Sequence, residues 1–75
     1  MSDHKRLTYL IQKSARTYLQ HAGPCGKLLR DLTISFEKTI IETTLAHFEN
    51  NISLSAKALG ISRTSLYQKI KHHQL

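Results

Sequence analysis

Residues 27–49 contain neither glycine nor proline, and their apolar side chains fall on two sides of one helix. With residues set about 100° apart, Leu29, Leu32, Phe36 and Ile40 form one stripe. Ile34, Ile41, Leu45 and Phe48 form another on roughly the opposite side. A helix that is apolar on two sides must be covered from two sides. One partner helix covers only one of them. The other face falls either to the short segments that follow or to a second copy of the chain. A chain of 75 residues buries a limited core by itself and gains from association. A homodimer is therefore expected, with Leu29, Leu32, Phe36, Ile40, Ile41 and Leu45 at its interface. The plain alternative is that some of these side chains are simply exposed, as many apolar residues are.

The flanking segments are also helical in pattern. Over residues 6–22, Leu7, Ile11, Ala15, Tyr18 and Ala22 recur at three- and four-residue steps, with Lys13, Arg16 and Gln20 opposite. "AGPCG", residues 22–26, then makes a loop, because it holds two glycines and the only proline. "ENNIS", residues 49–53, is the second break, with Asn51 suited to cap a helix and Ser53 able to share that role. Leu54–Leu59 is long enough for a short helix. Gly60 is placed as the left-handed residue that ends it. Ser62 is the next cap, and residues 63–73 form the last helix, with Leu66 and Ile70 turned inward and His73 a candidate to join them. No strand-like alternation appears. The expected fold is all-α, with four helices: a helical dimerisation region over 1–49 and a helix-turn-helix over 50–75, within one compact domain.

Composition narrows the function. The formal charge is +6 and the pI about 9.8, which favours a polyanionic partner. The charge is uneven. Residues 50–75 carry Lys57, Arg63, Lys69 and Lys71 and no acid, giving +4. No apolar run approaches the ~20 residues of a membrane span, and no secretory signal is evident at the front. The single cysteine, Cys25, forms no intramolecular disulfide, which suits a reducing compartment. His4, His21, His47, His72 and His73 lie at no metal-ligand spacing, so neither metal nor cofactor is expected. Cys25 reads as an incidental loop thiol, and His47 as a residue at the core edge. Five scattered acids offer no catalytic arrangement, so the chain is not expected to be an enzyme.

The last third carries the chemistry. Two short helices joined by a tight glycine turn make a helix-turn-helix. Ala56 is small enough for the second helix to cross the first, Gly60 allows the turn and Ile61 plugs it. Thr64, Ser65, Gln68, Lys71 and His72 then fall on the outward side of the last helix, flanked by Tyr67 and Lys69. Arg63 sits in its first turn, where such helices meet base edges. A helix start disfavours a cation, so a functional reason for Arg63 outweighs chance. Arginine can bond guanine O6 and N7 together. Asn51, Ser53, Ser65 and Lys69 suit phosphate oxygens, as do the exposed amides of both helix starts.

"NNISLSAKALGISRTSLYQKIKHH", residues 50–73, resembles the helix-turn-helix of the Fis family. The residues that carry the likeness are Asn51, Ala56, Leu59, Gly60, Ile61, Arg63, Ser65, Leu66, Lys69, Ile70 and Lys71. With the "ARTYLQH" helix, the loop and the long helix, the resemblance extends over roughly residues 10–75. It implies a bacterial, cytoplasmic, nucleoid-associated homodimer that binds double-stranded DNA and bends it. It also implies DNA contacts from Asn51, Ser53, Ser62, Arg63, Ser65 and Lys69. Gln68 and Tyr67 stand where the best-known members carry lysine and arginine, which lowers the positive charge of the recognition helix. Members that activate DNA invertases carry a β-hairpin arm at the front. Here the preceding residues read as more helix, so an invertase partner is not expected. Two other readings stay open. One is the DNA-binding end of a larger enhancer-binding activator. The other is a cationic amphipathic protein that binds membranes or another protein, for which residues 6–22 fit best.

Overall fold

The computed structural model describes residues 2–75. They form four helices and no strand: α1 (Asp3–Ala22), α2 (Leu28–His47), α3 (Ile52–Leu59) and α4 (Arg63–His73). The chain divides into two compact units, Met1–Ile34 and Ser35–Leu75, with the division inside α2. No helix is long and apolar enough to cross a membrane among the described residues.

In the N-terminal unit, the Ser2 hydroxyl caps α1 by accepting from the Lys5 amide, and Asp3 adds a negative charge to the first turn. The helix starts earlier than the apolar pattern alone indicates, because a polar cap needs no apolar stripe. It stops at Gly23, whose φ of 64° belongs to the left-handed region. Across the loop, the Tyr18 hydroxyl donates to Asp31 Oδ2 at 2.7 Å and lies 3.3 Å from Cys25 Sγ. Hydrogen bonds to Cys25 and Asp31 push the phenol up. The hydrogen bond shared with Tyr18, first, and the one from the Lys27 amide hold the Cys25 thiol below its ordinary value. No side chain of this unit is fully buried among the described residues.

The C-terminal unit has a core. Ile41 and Leu45 of α2 pack with Ala56 of α3 and Leu66 of α4, edged by Ile52, Leu59, Ile61 and Ile70. The second apolar stripe of α2 is thus covered by the short helices at Ile41 and Leu45, with Phe48 half-buried. Of the first stripe, Leu32 and Phe36 are half-buried, while Leu29 is 83% and Ile40 55% exposed. His47 is exposed and meets the Phe48 ring edge-on.

Three helix ends in this unit close in the same way. After α2, the Asn50 amide donates to Leu45 O and the Glu49 amide to Ala46 O. After α3, Ile61 donates to Ala56 O and Gly60 to Lys57 O. After α4, Leu75 donates to Ile70 O and Gln74 to Lys71 O. Each is a Schellman closure, which needs a left-handed residue. Gly60 supplies it at φ 75°, and a Cβ there would meet nothing within 4 Å. The demand on Gly60 is therefore conformational rather than spatial. Glu49 and Gln74 meet the same demand with side chains, at φ 53° and 59°.

Candidate nucleic-acid interface

The turn between α3 and α4 is built by its caps. Asn51 Oδ1 accepts from the Leu54 amide at 3.0 Å and starts α3 at Ile52. Ser62 Oγ accepts from the Ser65 amide and donates to Ser65 Oγ, both at 3.0 Å. Ile61 docks on the core, and Leu66, wholly withdrawn from solvent, holds α4 down. The short helices exist here because caps and core compensate for their length, since isolated helices this short are marginal in water.

Leu66, Ile70 and His73 share the inward side of α4, with His73 7% exposed. On the opposite side Thr64, Gln68 and Lys71 are exposed, within about a third of a turn of one another by helical geometry. Arg63 is exposed at the first helical position, with Tyr67 exposed beside it. Neither Arg63 nor Lys71 is ion-paired among the described residues. Ser53 is exposed on the first turn of α3, as are Asn51 and Ser62 before their helices. Asn51, Ser62 and Ser65 already serve as caps, and the Asn51 amide group keeps its two donors for another partner. Every acid of the C-terminal unit, Glu37, Glu42 and Glu49, precedes residue 50. The outward face of α4 therefore carries positive charge and hydrogen-bonding groups without a carboxylate.

Lys69 is placed differently. Its Nζ lies 2.8 Å from Glu37 Oε1 on α2, and His73 Nε2 lies 3.2 Å from the same oxygen. An ionised carboxylate only accepts, so Nε2 of His73 carries its proton. The hydrogen bonds from Lys69, first, and from His73 hold the Glu37 carboxyl below its ordinary range. Because the folded value is lowered, this contribution to stability is present above the ordinary glutamate range and is lost as pH falls through the lowered one. Periodicity puts Lys69 beside the inward stripe, but nothing in the sequence points to Glu37. The partners are 32 residues apart. Ser55 is a second position the pattern passes over. It is wholly buried beside Ala56, and its hydroxyl meets no hydrogen-bond partner among the described residues.

Of the six residues expected at a dimer interface, Ile41 and Leu45 lie in the core of the C-terminal unit. Leu29 and Ile40 are exposed, and Leu32 and Phe36 are half-buried.

Comparison with known proteins bears on the same region. A family model described as bacterial regulatory protein, Fis family, matches residues 35–73, which is nearly the whole C-terminal unit. The DNA-binding protein Fis of Buchnera aphidicola subsp. Schizaphis graminum (strain Sg) is 31% identical over 72 residues, covering 92% of this chain and 73% of that protein. No solved structure matches.

Proposed function

This chain belongs to the Fis family of bacterial regulatory proteins, and from that premise we propose that it binds double-stranded DNA as a homodimer and bends it. The observation that carries the reading is the outward face of α4, exposed and free of acids, with Arg63 at its first turn. Arg63 reads guanine in the major groove through paired donors. Thr64 and Gln68 face the base edges, and Lys71 meets phosphate. Asn51, Ser53, Ser62 and Ser65 surround the amide-rich starts of α3 and α4, which favour anionic oxygens. The relative from Buchnera is named for binding DNA, which supports the same reading.

One α4 reads little sequence, since it offers a single arginine. A dimer places two copies in successive major grooves, and a duplex that must bend to meet both adds selectivity through its own stiffness. The stripe of Leu29, Leu32, Phe36 and Ile40, open at Leu29 and Ile40, is the apolar surface such a dimer would use. A regulator of this kind acts on the bacterial nucleoid, in the cytoplasm, and needs neither catalysis nor a cofactor.

Gel shifts with duplexes of varied central A·T content, at two salt concentrations, test the reading. Affinity should fall steeply with salt and rise where the centre bends easily. Arg63→Ala should remove about 1–3 kcal/mol of preference for the best duplex. Tight binding to anionic vesicles with no affinity for DNA would refute the proposal in favour of a membrane-surface role.

A further inference from the structure

We propose that Glu37 is a positioning residue for recognition: it clasps Lys69 and His73 of α4 to α2, so that Lys69 is a strut and not a phosphate contact. The inference rests on the DNA-binding reading above.

The geometry is specific. Lys69 and His73 are four residues apart, on one side of α4, and both meet the same oxygen, Glu37 Oε1. The N-terminal end of α4 is held by the Ser62 cap and the turn at Gly60. Leu66 anchors the middle. The Glu37 clasp is the polar contact that holds the C-terminal half. Lys69 and Glu37 side chains are 39% and 38% exposed, and an ion pair that wet adds little to stability. Its value is directional. Rotating α4 to free Lys69 would carry the His73 imidazole, 3% exposed, out of its place and leave the Glu37 carboxylate without either donor. The same rotation would turn Arg63, Thr64 and Gln68 away from a common groove. Lys69 also brings its charge already matched by a carboxylate, so it would release no counterion on binding DNA.

Phosphate contacts can be counted by salt dependence, because each contact adds about 0.9 to the slope of log K against log salt. The experiment measures that slope on one duplex for the wild-type chain, Lys71→Gln, Lys69→Gln, Glu37→Gln and the swapped pair Glu37→Lys/Lys69→Glu. Helical circular dichroism checks that each variant is folded. Lys71→Gln should lower the slope by about 0.9 per protomer. Lys69→Gln and Glu37→Gln should leave the slope unchanged and weaken binding about fivefold, the size of one modest ion pair. The swapped pair should recover most of the wild-type affinity. A lower slope for Lys69→Gln, tighter binding by Glu37→Gln, or a swapped pair weaker than either single variant would each overturn the strut. Failure of the wild-type chain to bind any duplex would overturn the DNA reading itself, and the strut with it, and shows in a separate arm.

Discussion

Leu66 in the C-terminal unit exposes none of its surface, whereas Leu29 in the N-terminal unit exposes 83%. The contrast runs through both units. Residues 35–75 are closed on themselves: Ile41, Leu45, Ala56 and Leu66 are buried, each short helix has a polar cap, and each helix end has a Schellman closure. In residues 2–34 nothing is fully buried, and Leu7, Leu10, Ile11 and Leu19 of α1 are exposed by 40% or more. Its most definite tertiary contact is polar, the Tyr18–Asp31 hydrogen bond. A helix of 20 residues gains stability mainly from burying an amphipathic face. One unit is complete in its core, though its Ile40 stays 55% exposed, and the other has no buried side chain among the described residues and presents apolar surface that a second chain could cover. The family match falls on the complete one.

The largest effect should come from breaking the complete unit. Leu66→Ala removes a wholly buried side chain from a four-residue core, and a substitution of that kind costs about 2–5 kcal/mol. Little margin exists in so small a core, so α3 and α4 should lose their hydrogen-exchange protection together while α1 remains helical by circular dichroism. Retention of protection in α4 would mean that the caps, not the core, hold it.

Leu29→Asp probes the other unit. In a lone chain the substitution should be nearly silent, because Leu29 is already in water. In a homodimer it removes a buried leucine from each protomer, about 2 kcal/mol apiece, or roughly a thousandfold in dissociation constant. Sedimentation equilibrium of the two proteins reads the difference directly. An unchanged molecular mass would show that the open stripe is not an interface.

Ser55→Ala should have the smallest effect, and it should be favourable. Removing a buried hydroxyl that has no partner relieves about 1 kcal/mol of desolvation. For a chain of this length that raises Tm by about 4–8 °C. A fall in Tm would show that the hydroxyl is bonded, for instance to water, and that the core of the C-terminal unit is less dry than its apolar members suggest.

Much of this contrast is legible from residues alone. The bounds of α4, the caps at Asn51 and Ser62, the left-handed Gly60 and the plug at Ile61 follow from chemistry that operates within a few residues. The start of α3 at Ile52 rather than Leu54 follows from the same source, since the Asn51 side chain bonds the Leu54 amide from outside the helix. The turns at Glu49 and Gln74 are harder to read, because residues with side chains take the conformation that glycine would signal.

By itself the sequence determined the helical class, the order of the elements and the helix-turn-helix, and it set Thr64, Ser65, Gln68, Lys71 and His72 on the outward side of α4 as an expectation. Periodicity assigns side chains to faces, and backbone chemistry assigns ends. Only the tertiary structure decided what covers each face. It gave Ile41 and Leu45 to α3 and α4, left Leu29 and Ile40 open, and buried the unpaired Ser55 hydroxyl. It also turned Lys69 from the outer rim of α4 to the Glu37 carboxylate. The reason is physical: a helical repeat is a local property, but the partner that meets a stripe or a charge is chosen by how helices far apart in the chain come to pack.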